Sequence, residues 1–486
     1  MKNDKLEKFI IVLPETFKNI LKKINLNQKG AVFVVNNKNR LIGSISDGDI
    51  RRGIIKNKLN KVIYPQSSIV NKKPIFLKSN SNVEDIFFAF NKKYKNVKCI
   101  PLVNDSREII DISSYDKIKT YPIAEPQIGN LEITNVLKAL KSGWISSRGF
   151  FISEFEKTFS EYLGGGYAVA VSNGTNALQA GITALGLGKG DEILVPNFTF
   201  AASINSIINA GCTPSLVDID RETWTIDIGQ IRKKITKKTK AIMPVHIYGQ
   251  PCRIDEIKKI AKKNNLLVIE DCAEAIGATY KGRMVGLDFD CSCFSFFANK
   301  TITTGEGGMI IFKKKNYEEQ ARLIVNHGMS LKIKYHHEII GNNFRMTNIQ
   351  AAIGVAQIKK IKKLLVERKK IFYLYNNYFK KMSNVELLPS NNWSTNSLWL
   401  YTLFLKDFSK KKRDRLVINL INAGIECRPG FGSLNKMKPY KKFAKGDYKI
   451  SNMISSQTIS LPSFNLKKSD IKYIVKVFKQ EIKNLN

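Results

Sequence analysis

Acidic residues are scarce in this chain, membrane and secretion signals are missing, and the cysteines follow no ligand pattern. Asp and Glu number 41 against 79 Lys and Arg in 486 residues, a formal net charge of +38. Such an imbalance raises a nucleic-acid or membrane-surface reading. Yet the excess is spread along the whole chain beside abundant Asn and Ile, which suits an AT-rich coding bias. No RRM, zinc or helix-turn-helix signature interleaves with it, so nucleic acid is not an expected partner. No window approaches the ~20 apolar residues of a membrane span, so no membrane partner is expected either. The early run FIIVLP is too short for a signal peptide and follows acidic residues. Seven cysteines, an odd count without metal spacing, point to reduced thiols, a cytoplasmic location and no metal site. Cys291 and Cys293, one residue apart in an apolar run, are expected to share one face of a strand.

What is present falls into blocks. At ~150 residues per domain the length suggests about three. The segment KIKTYPIAEPQIGN, with two prolines and a glycine, reads as a linker, dividing 1–120 from the rest. Beyond it, apolar strands alternate with amphipathic helices, which argues for a mostly parallel α/β sheet. A long helical stretch from Asn348 to about Met382 is expected to connect a large part, 121–365, to a smaller C-terminal part, 366–486.

Three short stretches in the large part carry chemistry. In SFFANKTITTGEGGM, Lys300 follows an aromatic strand and precedes glycine-rich turns. An amine crowded at a strand end can lose its proton and form a Schiff base with an aldehyde cofactor. Taken alone, it is one lysine among many. Its company changes the reading: LLVIEDCAEA delivers Asp271, and then Glu274, just past a buried strand, where open α/β sheets bind ligands. A carboxylate there can hold a protonated pyridine nitrogen, and otherwise it would cap the next helix. In AVAVSNGTNALQAGITALGLG, a strand ends at Ser172 and Gly174 and Thr175 open a helix, a ready phosphate site. Ser295, five residues before Lys300, can add a hydroxyl to the same phosphate. His246, in PVHIYG, reads as a satisfied core histidine.

The succession NGT, VPNFTF, PVHIYG, EDCAEA, SFFANKTITTGEGGM and GNNFRMTNIQAAIG resembles the DegT/DnrJ/EryC1/StrS family of PLP-dependent sugar aminotransferases, from about Tyr121 to the C-terminus. The resemblance implies an α/β, fold-type I architecture with a large, mostly parallel sheet domain and a small C-terminal α+β domain. It implies pyridoxal 5'-phosphate on Lys300, with Asp271 facing the pyridine nitrogen and Glu274 near the phenolic oxygen. Gly174, Thr175 and Ser295 would hold the phosphate, and Phe200 would stack on the ring. Asn343 and Arg345 would come from the partner subunit of a homodimer with shared sites, or of a higher oligomer. Trp144, Ser146 and Ser147, in WISSRG, would lie near the sugar of a nucleotide-linked 4-keto-6-deoxy substrate, with glutamate as amino donor. Relatives that dehydrate the sugar instead carry histidine in place of this lysine. The nucleotide stays open among GDP, UDP and dTDP.

The first 120 residues repeat themselves. AVFVVNNKNRLIGSISDGDI and CIPLVNDSREIIDISSYDKI each read as strand, turn, strand, then Ser-x-x-Asp opening a helix, and 67 residues separate Ser46 from Ser113 and Asp49 from Asp116. The pair, about 1–60 and 61–120, resembles CBS modules. That resemblance implies an adenine nucleotide whose ribose meets Ser46, Asp49, Ser113 and Asp116. Ile110 falls at the place of Gly43 and would crowd the second half. A pair serving only as spacer or assembly contact fits equally. Two classes of function therefore stand: an aminotransferase with an accessory pair, or a nucleotide sensor whose transferase part is a scaffold.

Overall fold

A computed structural model describes residues 4–56, 61–81, 89, 97–114, 120–330 and 332–485. The chain divides into two compact units, Met1–Thr120 and Tyr121–Asn486. Among the described residues no helix is long and apolar enough to cross a membrane.

In the first unit two antiparallel hairpins meet: Ala31–Val35 with Leu41–Ser46, and Cys99–Val103 with Ile109–Ser114. Each turns on an asparagine whose Oδ1 accepts a backbone N–H four residues on, Arg40 for Asn36 at 3.0 Å and Glu108 for Asn104 at 2.8 Å. The turns then bond each other, Leu41 N–H to Arg107 O at 2.9 Å and Ile109 N–H to Asn39 O at 3.3 Å. Phe33, Val35, Leu41, Cys99, Val103, Ile109 and Ile112 form the core between the two copies.

The registers correct the spacing read from the sequence. Ala31 pairs with Ser46 and Cys99 with Ser114, Val35 with Leu41 and Val103 with Ile109, so equivalent hairpin residues lie 68 apart. Both hairpins carry a bulge before the last pair. Ile110 therefore matches exposed Ile42, not Gly43, and does not crowd the position assigned to it. Gly43 is glycine for a local reason: a Cβ there would sit 2.9 Å from Val70 Cγ1, where the backbone of Asn71 pairs with Ser44.

The second unit is α/β. Its main sheet has the order Thr213–Val217, Glu192–Pro196, Thr239–Ile242, Leu267–Asp271, Cys291–Ser295, Gly308–Phe312, Tyr167–Val171, and Gly308–Phe312 runs against the others. These strands are apolar runs because both faces are covered. Ala168 and Ala170 face one core, with Phe155, Phe159 and Ala352, while Val169 and Val171 face the other, with Leu178 and Ile182. Cys291 and Cys293 share a face as expected: a Cβ on Gly181 would lie 3.2 and 3.3 Å from their sulfurs.

The helix Asn348–Phe379 opens with a capping box, Thr347 and Gln350. Its first half packs in the main core, and Ile371, Phe372, Tyr375 and Phe379 pack under the small antiparallel sheet of Val385–Leu387, Tyr401–Leu405, Thr458–Leu461 and Arg428–Pro429. The boundary drawn at 365/366 thus falls inside a continuous helix, and Tyr121–Asn486 packs as one unit.

Candidate functional site

The sheet topology gathers the candidate residues. Gly308 pairs with both Ser295 and Val171, so the strand ends that carry Ser295 and the Ser172–Gly174 turn lie side by side, and Asp271 ends the strand beyond. The contacts are close enough to require glycine. A Cβ on Gly308 would sit 2.5 Å from Asn173 O, and one on Gly174 would sit 2.8 Å from Ser295 Cβ. Asn173 caps the helix Gly174–Ala184 by accepting the Asn176 N–H at 2.8 Å. The first N–H groups, those of Gly174 and Thr175, remain as donors at a helix N-terminus beside the Ser295 hydroxyl.

Asp271 is buried, and its Oδ2 accepts the Ser203 hydroxyl at 2.8 Å while Oδ1 accepts the Ala273 N–H at 3.1 Å. Burial raises its proton affinity, opposed by those bonds and by the charge of Lys300. Glu274 is likewise pushed up, to about 7, by burial foremost. Its Oε2 accepts the backbone N–H of Tyr248 at 2.6 Å. Tyr248 adopts φ of 49°, a left-handed conformation unusual for a bulky residue and typical of strained functional sites.

Lys300 faces both carboxyls. Burial lowers its proton affinity, the nearby Arg368 guanidinium lowers it further, and Glu274 and Asp271 partly restore it. Its Nζ lies 3.8 Å from the centroid of the Trp399 ring. Trp399, Tyr248 and Phe431 stack within 5.3–6.3 Å of one another. An amine of lowered proton affinity, facing two carboxyls whose proton affinity burial raises, is equipped to form an imine and to shuttle a proton.

The other candidates fall around this centre. Phe200 is 59 % exposed, its ring 5.9 Å from Phe431, on the helix start that also carries Ser203. Core packing does not explain it. Arg345 bridges Val171 and Phe344 O accepts the Ser172 N–H, so within one chain Arg345 and Asn343 flank the strand end; Asn343 Oδ1 accepts Arg345 Nε–H at 3.2 Å. Trp144, Ser146 and Ser147 form a loop between the helices Asn130–Lys141 and Phe150–Leu163, with Trp144 56 % exposed. Asn348 fastens that loop, donating from its side chain to Trp144 O and from its backbone to Ser146 O, and accepting the Phe151 N–H. Gly149, at φ 142°, passes so close that a Cβ would meet Asn348 at 2.4 Å.

His246 is fully buried: its Nδ1 accepts the Cys252 N–H, so Nε2 carries the proton toward Glu270 at 2.8 Å. With Cys272 it forms a cluster of metal-ligand type, but both ring nitrogens are already engaged. In the first unit Ser46 and Asp49 are joined as a capping box, Ser46 Oγ to Asp49 Oδ2 at 2.6 Å, and Arg52 binds the other carboxylate oxygen at 2.6 Å. Ser113 lies one residue short of the strand-end position that matches Ser46, which is Ser114. Asp116 lies outside the described residues.

Sequence reasoning missed Ser203, Tyr248, Arg368, Trp399, Phe431 and Asn348. Their partners lie away from them in the chain, from 26 residues for Tyr248–Glu274 to 204 for Asn348–Trp144, and local sequence does not show those pairings.

Residues 126–479 match the model of the DegT/DnrJ/EryC1/StrS aminotransferase family, and residues 7–56 match that of the CBS domain. The chain is 41 % identical over 360 residues to GDP-perosamine synthase of Caulobacter vibrioides, covering 74 % of this chain and 97 % of that one. It is 40 % identical to GDP-perosamine synthase of Escherichia coli O157:H7 over the same shares. Among solved structures, the PLP form of Spr1654 from Streptococcus pneumoniae superposes with a TM-score of 0.72 at 28 % identity, over 76 % of this chain and 100 % of that one. PseC of Helicobacter pylori, an aminotransferase of pseudoaminic acid biosynthesis, gives 0.72 at 26 % identity, over 75 % and 100 %.

Proposed function

From a chain that belongs to the DegT/DnrJ/EryC1/StrS aminotransferase family and carries a CBS domain ahead of it, we propose one reaction: transfer of the amino group of glutamate to C4 of GDP-4-keto-6-deoxymannose, giving GDP-perosamine for a surface polysaccharide. The chain is a PLP-dependent sugar aminotransferase, and the choice of sugar rests on its ~40 % identity to GDP-perosamine synthases across nearly their whole length.

The site residues fit pyridoxal phosphate. The close approach at Gly308 and Gly174 makes a cradle that a Cβ would fill, at a helix N-terminus suited to phosphate. Asp271 is a buried carboxylate wanting a cationic partner such as a protonated pyridine nitrogen. When bound, the cofactor supplies the electron sink for chemistry at the donor Cα. Lys300 would be its covalent anchor, would take the Cα proton of glutamate, and would return a proton at C4 of the sugar. Glu274, holding a proton near neutrality, would face the phenolic oxygen. Gly174, Thr175 and Ser295 would bind phosphate, exposed Phe200 would cover the ring, and the Trp144–Ser147 loop would meet the sugar.

The same reading implies a homodimer to which Asn343 and Arg345 are contributed across the interface. The helix Asn130–Lys141 supports it by being inverted: Glu132, Asn135 and Ala139 are buried, with Asn135 bonded to Ala352 O, while Ile133, Leu137 and Leu140 face outward. In the first unit, an adenine nucleotide at Ser46 and Asp49 would have to displace Arg52 from Asp49.

The test is a panel of GDP-, UDP- and dTDP-linked 4-keto-6-deoxy sugars with glutamate, read by product mass. GDP-4-keto-6-deoxymannose should gain an amino group fastest. Preference for a UDP or dTDP sugar would overturn the assignment of the nucleotide.

A further inference from the structure

Arg368 lies in the long helix, 3 % exposed, burial lowers its proton affinity, and among the described residues no carboxylate forms a salt bridge with it. A buried guanidinium keeps its charge, so other groups must compensate it. The compensation is three backbone carbonyls and a ring. Nη1 donates to Leu398 O at 3.0 Å and Trp399 O at 2.8 Å, Nη2 donates to Lys300 O at 3.4 Å, and the guanidinium carbon lies 3.6 Å from the Phe464 ring centroid. One side chain thus ties the segment after Cys291–Ser295 to the segment leading into Tyr401–Leu405. Leu398 is held at φ 59°, a left-handed conformation that branched residues adopt only when their surroundings impose it. A second tie runs in parallel, Trp399 Nε1–H to Asn299 O at 2.8 Å. The consecutive carbonyls of Asn299 and Lys300 are therefore both claimed, and the outcome is the indole face beneath the Lys300 amine.

We propose that Arg368 is a positioning residue for Lys300: it fixes the lysine backbone against Trp399 and keeps a positive charge near the amine that Asp271 and Glu274 also face. The proposal rests on the reading that Lys300 is the cofactor's lysine. A lysine that alternates between bound and free must not relax into an ion pair with Asp271 or Glu274, which would hold it protonated and out of reach. The charged groups facing the amine are those two carboxylates and, from the long helix, Arg368; the neighbouring titratable ring is Tyr248, stacked on Trp399. Displacement of a reacting group by about 1 Å costs on the order of a hundredfold in rate, so anchoring the backbone is a catalytic requirement.

The experiment uses full-length protein freed of cofactor. Lys300 is trace-acetylated with acetic anhydride across a pH series, and its peptide is quantified by mass spectrometry in wild type, Arg368→Gln and Arg368→Lys. Removal of the positive charge in Arg368→Gln should move the Lys300 labelling midpoint upward by about half a pH unit or more. Arg368→Lys keeps the charge but cannot bridge three carbonyls, so kcat in the cofactor-loaded enzyme should fall about tenfold or more with KM for the sugar nucleotide within about twofold. An unmoved midpoint in folded Arg368→Gln, or wild-type kinetics in Arg368→Lys, would overturn the proposal and leave Arg368 a packing residue. If Arg368→Gln does not fold, Arg368→Lys decides alone. Borohydride reduction of the loaded wild type, with peptide mapping, separately tests Lys300 as the anchor. A cofactor found on another lysine sinks that reading without altering the labelling midpoints.

Discussion

The Ser203 hydroxyl donates to Asp271 Oδ2 at 2.8 Å and accepts the Thr199 hydroxyl at 3.0 Å. A helix start 68 residues upstream thereby fixes the orientation of the strand-end carboxylate. Ser203→Ala leaves a buried carboxylate oxygen unpaired, which costs about 1–3 kcal/mol. The expected result is a lower melting temperature and about tenfold weaker retention of pyridoxal phosphate, measured by differential scanning fluorimetry and by absorbance titration.

Glu274 gives the cofactor-free protein a pH signature. Its folded proton affinity is raised, to about 7 from 4.5, so between those values the folded state binds more protons than the unfolded chain. The stability it contributes is fully present below pH 4.5 and is lost as pH rises through about 7. Each tenfold gain in proton affinity on folding is worth about 1.4 kcal/mol, and the neighbouring Lys300 charge reduces the total. Urea unfolding of Glu274→Gln across this window should show a flatter decline than wild type; parallel curves would remove Glu274 as the source.

Gly308 cannot carry a side chain without moving the phosphate cradle, because its Cβ would sit 2.5 Å from Asn173 O and 3.0 Å from Gly174 N. Overpacking of this kind costs about 1–3 kcal/mol. Gly308→Ala should weaken pyridoxal phosphate and inorganic phosphate binding together, seen by calorimetry, while far-UV circular dichroism stays native.

The outward stripe of the helix Asn130–Lys141 predicts assembly. Leu137 is 49 % exposed, and replacing it by glutamate would place a charge in the apolar patch without touching the buried face, which holds Glu132, Asn135 and Ala139. Sedimentation velocity should show Leu137→Glu as a monomer with lost activity. A wild-type dimer that survives the substitution places the interface elsewhere.

The strands, helices and turn glycines of the second unit were legible because the information is local. Apolar strand runs, the strand–turn–helix at Ser172–Thr175 and the long helical stretch from Asn348 declare themselves within a few residues, and the structure adds their caps at Asn173 and Thr347. The order of motifs located Lys300, Asp271 and Glu274 as well. The hairpin repeat was visible, but matching Ser-x-x-Asp set its offset at 67, whereas the two hairpins bulge at equivalent places and their hydrogen-bond registers lie 68 apart.

Sequence by itself therefore determined the family, the layered α/β plan and the chemical types at the strand ends, all properties of short segments with a fixed period. Tertiary structure alone decided which distant groups tune them. Trp399 reaches the Lys300 amine, Arg368 holds the Lys300 carbonyl and Tyr248 binds Glu274 because the long helix, the small sheet and the main sheet close on one another. Proton affinities depend on burial and on charges within a few ångströms, and those neighbours are set by packing, not by proximity in the chain.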